Sequence, residues 1–549
     1  MNAGSYIAID CGGSRLRGYV WPGGKEFSGN GVSHSINVAL DLAKNIVDAI
    51  PAEIKEVETI VLAQAAIPHE ESDRDLMAAA IAQRVSFTKL LITSDTYAAT
   101  LSLGNQCDLV IAVGTGITAQ VHTDKHIFEL TGHGYLLGDE ASGFWIGRQG
   151  INAALKGVEG RGPETALTQM AQDFYKVSSV ELADYIHQLE RPVIQVAAFA
   201  PLVTEAAENH DPVAISILNQ AAEEIKSLIA TAIKRANIKT VALMGGAIPT
   251  GGLLHRNVLA VTKDLGINFT QEVAEPLIGT RKIASDPTLQ LDVISVHTNK
   301  ITSKTWSSLY LHRVQDLLKR VSQTQEDSIA QAVSLFADAL ANGKMIHTFG
   351  TGHSHLLAEE IFYRAGGLAA IYPILDERLM LHKDVVQGSQ SERLPGLASE
   401  LLAQHPVAAG DVVVVISNSG GNQVTIDLVS LSKEAGAKVI AVTSVNHATS
   451  DSARSSNAVK IHHSADVVLD NSGIVGDASI KVAGAKMAVG PTSTVVGAAM
   501  LQAVVVGSVA ELIKRGIEPE IFLSSNLTGG DENNAAIFDK YRPLIHLYN

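Results

Sequence analysis

Short apolar segments that end in a glycine or a hydroxyl residue, each followed by a helical pattern, recur along the whole chain. They are YIAID at 6–10, TIVLA at 59–63, LVIAVG at 109–114, TVALMGG at 240–246, KMIHTFG at 344–350, DVVVVIS at 411–417 and KVIAVTS at 438–444. Continuous apolar runs of this length are typical of strands buried on both faces of a sheet. Because they alternate with helices, the pattern predicts an α/β protein with largely parallel sheets.

The length of the chain requires more than one hydrophobic core. Its 549 residues exceed the roughly 100–200 residues of an ordinary domain. Residues 284–305 lack helical periodicity and separate two series of strands. We therefore expect a first domain over residues 1–285, a linker over 286–302 and a second domain over 303–549.

Charge and cysteine usage exclude several classes of function. A formal net charge of −15 leaves no chain-wide basic footprint for nucleic acid or an anionic membrane. Cys11 and Cys107 show neither a CxxC nor a zinc-ligand spacing, which favours buried thiols in a reducing compartment. The first residues lack a signal-peptide pattern, and the apolar run at 495–510 is shorter than the roughly 20 residues of a membrane span. We expect a cytoplasmic protein without a membrane or nucleic-acid partner.

Three glycine turns follow strands of the first half, at 12–13, 114–116 and 245–246. Glycines let a backbone approach phosphate groups closely. The three turns are spread over more than 200 residues, and the sequence contains no GxxxxGK[ST] motif of a P-loop. This spacing favours a nucleotide held between two lobes.

Residues 5–260 resemble the N-acetylglucosamine kinase branch of the actin-like sugar kinase/ATPase superfamily. The stretches that carry the resemblance are IDCGGSRLRGYV, ITSDTYAATLSL, VIAVGTGITAQ, GHGYLLGDEASGFWIGRQGI and ALMGGAIPTGGLL. The resemblance implies a two-lobed RNase H-like, actin-like fold that closes over ATP and Mg²⁺. It also implies phosphorylation of an amino sugar or an N-acetylhexosamine, with the 6-hydroxyl as the expected acceptor.

The same resemblance implies roles for individual residues. Asp10 would hold Mg²⁺ through water, because Mg²⁺ keeps much of its hydration shell. Asp95 would be the general base that takes the proton of the sugar hydroxyl. The expected ATP contacts are Gly12, Gly13, Ser14, Gly114, Thr115, Gly116, Gly245 and Gly246, and the expected sugar contacts are Asn37, Asp95, His133 and Asp139. Asp95 follows a strand, and an alternative structural role for it is the N-cap of the next helix.

Hydroxyl-rich turns follow three successive strands of the second half, at 350–355, 417–422 and 443–447. Hydroxyls and free backbone amides at helix starts suit a phosphate dianion. A serine N-cap would explain any one of these turns without a ligand. Three such turns together favour a phosphate site.

Residues 305–545 resemble a sugar isomerase (SIS) domain, and more narrowly a family of stand-alone SIS proteins described as phosphosugar-binding. The stretches include GTGHSHLLAEEIFYRAGGL, VVVISNSGGN, VIAVTSVNHA, VGPTSTVVGAAML and SSNLTGGDENN. The resemblance implies a flavodoxin-like, parallel five-stranded sheet and at least a dimer whose sites take residues from a neighbouring copy. The expected phosphosugar contacts are Ser354, Ser417, Ser419, Thr443, Ser444, Thr492, Ser493 and Thr494.

A reaction on the sugar phosphate would need a base in this half. The candidates are His353, Glu359 and Glu360, followed by His355, His382, Asp477, Asp531 and Glu532; a solvated helix face is the alternative for the two adjacent glutamates. Three hypotheses stay open at this point. The second domain could isomerise or otherwise convert the sugar phosphate, or it could sense the sugar phosphate and regulate the kinase. Alternatively, the first domain could be an ATPase that activates a redox enzyme, although such activators tend to carry iron–sulfur cysteines.

Overall fold

The computed structural model describes residues 4–13, 15–31, 38–65, 67–68, 70–104, 107–123, 127–189, 192–270, 274–290, 293–450 and 459–548. The chain divides into two compact units, Met1–Trp306 and Ser307–Asn549. Each unit has its own sheets and its own core, and the two are described separately.

The first unit contains eleven strands and eleven helices within the described residues. The strands are β1 Tyr6–Cys11, β2 Arg15–Trp21, β3 Lys25–Asn30, β4 Thr59–Gln64, β5 Lys89–Ser94, β6 Leu109–Val113, β7 Ile117–His122, β8 Ile127–Glu129, β9 Thr240–Met244, β10 Asn268–Phe269 and β11 Ile294–His297. The helices are α1 Val38–Ala49, α2 Glu71–Ala82, α3 Asp95–Leu103, α4 Gly143–Val158, α5 Leu167–Tyr175, α6 Leu182–Gln188, α7 Pro192–Ala197, α8 Ala200–Glu208, α9 Pro212–Ala236, α10 Leu253–Asp264 and α11 Pro276–Ser285.

These strands form two sheets, as a two-lobed fold requires. The first sheet has the order β11-β5-β4-β1-β2-β3, and the second has the order β10-β9-β6-β7-β8. Strands β1, β4 and β5 are parallel, and every residue of β1 and β4 is buried, which explains their continuous apolar sequences. Their carboxyl ends lie side by side, because Cys11 is in register with Gln64 and Gln64 with Ser94. The two-lobed α/β fold predicted for this half is therefore confirmed.

The segment expected to form a linker, residues 286–302, contributes an edge strand to the first sheet. Strand β11 pairs antiparallel with β5, with Ile294 opposite Ile92 and His297 opposite Lys89. Thr298 donates a hydrogen bond from Oγ1 to the carbonyl of Phe87 at 3.0 Å. These contacts make the segment part of the first unit, whose compact region extends to Trp306.

The second unit contains seven strands and the remaining helices of the described residues, of which α12 begins just before the unit boundary. The strands are β12 Ile346–Gly350, β13 Ile371–Ile374, β14 Val412–Ile416, β15 Lys438–Thr443, β16 Val467–Asp470, β17 Ala478–Ile480 and β18 Val489–Pro491. The helices are α12 Ser303–Thr324, α13 Glu326–Ala341, α14 His355–Glu360, α15 Val385–Ser391, α16 Leu397–Gln404, α17 Gln423–Glu434, α18 Val445–Ala448, α19 Ile461–Ser464, α20 Ser493–Lys514 and α21 Gly530–Tyr541.

Five of these strands form one all-parallel sheet in the order β13-β12-β14-β15-β16. One face of the sheet packs against α13 and α20, and the other against α16 and α17. This arrangement confirms the flavodoxin-like sheet predicted for the second half. It also brings the turns after β12, β14 and β15 to one edge, where ligands bind in open parallel sheets.

Helix α20 is the one helix of the described residues that is long and apolar enough to cross a membrane by length and composition. Eight of its residues are buried in the second unit, among them Val496, Met500 and Val504. The core of this unit therefore accounts for the buried face of the helix.

Candidate functional sites

The carboxyl edge of the first sheet carries an ion pair between Asp10 and Arg17. The two residues lie opposite each other in β1 and β2, and the Arg17 guanidinium donates to Asp10 Oδ2 at 2.7 and 3.2 Å. Burial nevertheless raises the pKa of Asp10, and the negative charge of Glu275 adds to this effect. Both bonds from Arg17 go to one oxygen, Oδ2. Among the described residues, no group of three or more His, Cys, Asp or Glu side chains could hold a metal directly.

Asp95 is the first residue of α3, at the same edge of the sheet. Ser94 is the N-cap of this helix, because its Oγ accepts a hydrogen bond from Tyr97 N at 3.0 Å. The carboxylate of Asp95 accepts a bond from Thr96 N at 2.8 Å, although the residue as a whole keeps some exposure. Burial and the negative charge of Asp10 raise the pKa of Asp95 to about 7. The structural alternative of an N-cap therefore falls to Ser94, and Asp95 keeps the properties of a base near neutral pH.

A chain of polar side chains from the second sheet supports Ser94. Gln120 donates from Nε2 to Ser94 Oγ at 3.3 Å, and its Oε1 lies 2.9 Å from His122 Nε2. Burial lowers the pKa of His122 to about 4, and the ring stacks on Tyr97. His122 is therefore neutral at pH 7 and fixes the start of α3.

The first and second glycine turns meet at one point. A Cβ atom on Gly13 would lie 2.9 Å from Thr115 Oγ1, so the contact requires a residue without a side chain. The second turn is held by the start of α4, where Gly143 N donates to the carbonyl of Gly114 at 2.8 Å. The third turn packs behind it: Gly245 has a φ of 106°, and a Cβ there would overlap the carbonyl of Val113. The predicted ATP contacts that are described thus converge from three strand ends.

The residues predicted to contact the sugar do not converge at one point, unlike the predicted ATP contacts. Asp139 is buried with a φ of 63°, its Oδ1 accepts from Ile117 N at 3.4 Å, and its Oδ2 packs on Gly116. Asp139 therefore lies against the second glycine turn, whereas His133 is exposed. Asn37 and the ATP-contact candidate Ser14 lie outside the described residues.

Gln64, which the sequence did not single out, lies at the end of β4 between Cys11 and Ser94. Its side chain is fully buried, and neither its amide nitrogen nor its amide oxygen has a hydrogen-bond partner in the described structure. Buried amides are nearly always bonded, so this group is a candidate ligand contact. A polar residue that ends an otherwise apolar run is the signal that could have identified it.

The second unit has a cavity at the carboxyl edge of its parallel sheet. It is lined by His353, Ser354, Leu357, Ile416, Asn418, Val442, Asn471, Ser493 and Thr494. Ser354, Ser493 and Thr494 are predicted phosphosugar contacts, and His353 is a predicted base. The asparagines are additional: Asn471 donates from Nδ2 to Asn418 Oδ1 at 3.0 Å.

Several of the other predicted contacts have hydroxyls that stabilise their own turns. Ser417 Oγ accepts from Gly420 N at 3.2 Å, and Thr443 Oγ1 donates to the carbonyl of Asn418. Ser444 Oγ accepts from His447 N and donates to the carbonyl of Gly473. Thr492 N is held by Asp477, and Ser419 is half-buried in the turn after β14. These residues define the shape of the edge, and a hydroxyl oxygen can still accept or exchange a bond.

The carboxylate and histidine side chains predicted as candidate bases differ in burial and in bonding. Glu359, Asp531 and Glu532 are exposed, as is His382, and Glu360 pairs with Arg364. His355 is buried, and its Nδ1 contacts the carbonyl of Gly352. Asp477 holds the backbone at the start of α20.

Glu392 is a carboxylate that sequence reasoning missed. It accepts from Asn422 Nδ2 at 2.7 Å, and it lies 3.3 Å from the position of a Cβ on Gly352, so it contacts the turns after β12 and β14. Burial raises its pKa, although hydrogen bonds from Thr351 and Asn422 oppose this effect. A raised pKa at this edge is the property that a general base requires.

Comparison with known proteins agrees with the division of the chain into two units. Residues 6–273 match the model of the BadF/BadG/BcrA/BcrD ATPase family, and residues 309–444 match the model of the SIS domain. A UPF0309 protein of Listeria innocua is 40% identical over 231 residues, which are 42% of this chain and 94% of that relative. The chain belongs to the UPF0309 family. A further UPF0309 protein, from Halalkalibacterium halodurans, is 41% identical over 225 residues, 41% of this chain and 93% of its own.

The UPF0309 relatives match less than half of this chain, and the ATPase family model matches another part of it. These findings confirm the resemblance of the first half to the sugar kinase/ATPase superfamily and of the second half to SIS domains. The chain is thus a UPF0309 protein that also carries an ATPase-type unit.

Solved structures with similar folds include proteins described as sugar kinases and isomerases. An N-acetylglucosamine kinase from Chromobacterium violaceum is 24% identical and covers 51% of this UPF0309 chain and 99% of its own, with a TM-score of 0.41. A ROK family glucokinase from Streptomyces griseus is 16% identical, with coverages of 51% and 99% and a TM-score of 0.36. Phosphoheptose isomerase from Neisseria gonorrhoeae is 18% identical, with coverages of 38% and 98% and a TM-score of 0.26.

Proposed function

We propose that the first unit transfers the γ-phosphate of ATP to an amino sugar or an N-acetylhexosamine, at the 6-hydroxyl. The observation that carries the proposal is Asp95, a carboxylate with a pKa of about 7 whose charge interacts with that of Asp10 at the carboxyl edge of the first sheet. General bases work best when their pKa is close to the working pH.

In this proposal Asp95 takes the proton from the acceptor hydroxyl as the oxygen attacks the γ-phosphate. In the turns at Gly12–Gly13 and Gly114–Gly116, Gly12 N and Gly114 N are bonded within their own turns. Gly13, Thr115 and Gly116 would supply the N–H groups for the phosphates, and Gly245 and Gly246 would adjoin the adenosine. Asp10 would hold Mg²⁺ through water, and the ion would neutralise charge on the phosphates. Asp139 supports the second turn, because its Oδ1 accepts from Ile117 N and its Oδ2 packs on Gly116.

We further propose that the second unit binds the sugar phosphate and isomerises or otherwise converts it. The cavity with Ser354, Ser493 and Thr494 supports binding of a polar ligand, and His353 and Glu392 supply candidate bases. Glu360 is less suited because it pairs with Arg364, and Glu359 is less suited because, unlike His353, it is exposed without lining the cavity. A regulatory second unit that binds the sugar phosphate without chemistry is the alternative.

The active form that we propose is a cytoplasmic dimer. One face of α20 is exposed along its whole length and carries only small or apolar residues: Val495, Ala499, Ala503, Val506, Ala510 and Ile513. An apolar face of this length is typical of a surface that another protein copy covers.

The experiment is a screen of free hexoses, hexosamines and N-acetylhexosamines with ATP and Mg²⁺, followed by mass spectrometry and NMR. The wild-type chain should phosphorylate one amino-sugar class at carbon 6 and then change the product further. Asp95→Asn should lose phosphorylation and still convert supplied sugar phosphate. If the wild-type chain phosphorylates no sugar, the kinase proposal is wrong; if it converts no sugar phosphate, the regulatory alternative takes the place of the second activity.

The matched ATPase family favours one further candidate, an ATPase that drives a partner protein. Cys11 and Cys107 are both buried, and the described residues contain no group of three or more side chains that could ligate a metal. Rapid ATP hydrolysis in the same screen without any sugar would favour this candidate.

A further inference from the structure

Lys460 immediately precedes α19, at the carboxyl edge of the sheet in the second unit. The residue after it is joined to the turn that follows β14: Ile461 N donates to the carbonyl of Gly420 at 2.9 Å. A Cβ on Gly420 would also lie 3.2 Å from the side chain of Ile461. Lys460 is thereby attached to the same turn as Ser417 and Ser419, two of the predicted phosphosugar contacts.

The ammonium group of Lys460 is buried without a counter-charge. The residue is 7% exposed, and Nζ has no hydrogen-bond partner in the described structure. Burial alone lowers the pKa of Lys460, and no carboxylate opposes this effect. A buried ammonium group without an anion is strongly unfavourable, so it either loses its proton or gains an anionic partner.

The surroundings of this ammonium group are those of an anion site. Lys460 adds to the lowering of the pKa of His447 and of His462, so its charge lies near both imidazoles. His447 follows the third hydroxyl turn, where its N–H is bonded to Ser444. The ammonium group is thus associated with the turns after both β14 and β15.

Asp470 and Asp477, whose charges act on His462 and His447, already accept hydrogen bonds from other groups. Asp470 Oδ1 accepts from Val445 N and Ser472 N, each at 3.0 Å. Asp477 accepts from Thr492 N and from Ser493 at the start of α20. Neither acid is paired with Lys460, so the positive charge is available for a ligand.

We propose that Lys460 binds the phosphate group of the sugar phosphate, as the cation of a site whose other donors are the turns after β14 and β15. The inference rests on the proposed function of the second unit and names a phosphomonoester dianion as the group that this unit recognises. An ammonium group and several N–H and O–H donors bind such a dianion much more strongly than the neutral donors alone. The role of Lys460 is binding, and no bond to it is made or broken.

The test measures binding of inorganic phosphate and of N-acetylglucosamine 6-phosphate to the full chain by calorimetry, without ATP. Lys460→Met should weaken binding of both by about 10- to 100-fold, which corresponds to the loss of a charged hydrogen bond. Its thermal midpoint without phosphate should equal or exceed that of the wild type, because an unpaired buried charge has been removed. Lys460→Arg should stay within about threefold of the wild type, because it keeps the charge.

Lys319→Met is the matched control, because Lys319 is exposed on α12 of the same unit; it should bind both ligands like the wild type. Lys460→Gln replaces the methionine variant if the latter lacks a cooperative unfolding transition, and the expected loss is the same. If the uncharged variants bind phosphate as tightly as the wild type, the role of Lys460 is refuted while the proposed function stands. If the wild-type chain binds neither ligand, the proposed function of the second unit fails with it.

Discussion

Gly13 and Thr115 are in direct contact, although one follows β1 of the first sheet and the other follows β6 of the second. A Cβ on Gly13 would lie 2.9 Å from Thr115 Oγ1 and 3.2 Å from Thr115 Cβ. The glycine turns of the two lobes therefore form one surface. A triphosphate held there would contact backbone groups from both lobes.

Gly13→Ala should impair use of ATP more than Gly12→Ala does. The added methyl group at position 13 would press on Thr115, whereas at position 12 its nearest neighbour would be the Arg15 carbonyl at an ordinary 3.5 Å. We expect the KM for ATP to rise about tenfold in the first variant, a loss of roughly 1.4 kcal/mol, and by much less in the second. Steady-state kinetics with varied ATP provides the measurement. Equal effects of the two substitutions would show that the contact has no role.

Gln64→Met should raise the free energy of unfolding by about 1–2 kcal/mol, because a buried amide without hydrogen bonds is replaced by an apolar side chain of similar size. Urea unfolding of the full chain measures the change. Gln83→Met is the control: Gln83 donates from Nε2 to the carbonyl of Ala79 at 2.8 Å, so the same replacement should not stabilise the protein. A loss of stability in Gln64→Met would mean that this amide is bonded within the protein.

His405 should make the second unit less stable as the pH falls. Burial, followed by the charges of His546 and His347, lowers the pKa of His405 in the folded state. Below the unfolded value of about 6.5, the unfolded chain therefore binds a proton that the folded chain does not, and stability declines. His405→Gln should reduce the difference in unfolding free energy between pH 7.5 and pH 5.5 by about 1 kcal/mol. His382→Gln, at an exposed position, should leave that difference unchanged. If the wild type, His405→Gln and His382→Gln all show the same difference in unfolding free energy, the role of His405 is contradicted.

Glu392→Gln should abolish conversion of the sugar phosphate and leave phosphorylation of the free sugar intact. The amide keeps the size of the side chain but cannot accept a proton, so a loss of about 100-fold or more is expected if Glu392 is the base. Glu359→Gln, at an exposed position, provides the comparison. NMR of the products distinguishes the two reactions. Full conversion by the Glu392 variant would return the role of base to His353.

The fold could be predicted where one stretch of sequence decides the structure. Strands β1, β12 and β14 are continuous apolar runs that end in turns, and such runs are buried whatever surrounds them. Strand β11 could not be recognised, because it is four residues long, two of its side chains are exposed, and its partner β5 lies about 200 residues earlier in the chain.

The candidate sites show the same limit. Asp95 was identified from a motif, but its support by Ser94 and Gln120 depends on a second sheet that sequence order does not reveal. Glu392 and Lys460 could not be recognised from the sequence, because each lies about 30 residues or more from the turn after β14. They come close to that turn only in the folded chain. Their significance follows from burial and from missing or shared partners, which are properties of the folded chain.

The pH dependence of sugar phosphorylation tests most directly whether Asp95 is the base. With the wild-type chain, kcat/KM for the sugar should fall about tenfold per pH unit below an inflection near pH 7, because a protonated carboxyl cannot take the proton of the acceptor. Asp95→Asn should lose at least about 100-fold in kcat and show no such inflection. A wild-type profile that is flat from pH 5 to 8, or an Asp95→Asn variant with undiminished kcat, would contradict the kinase mechanism.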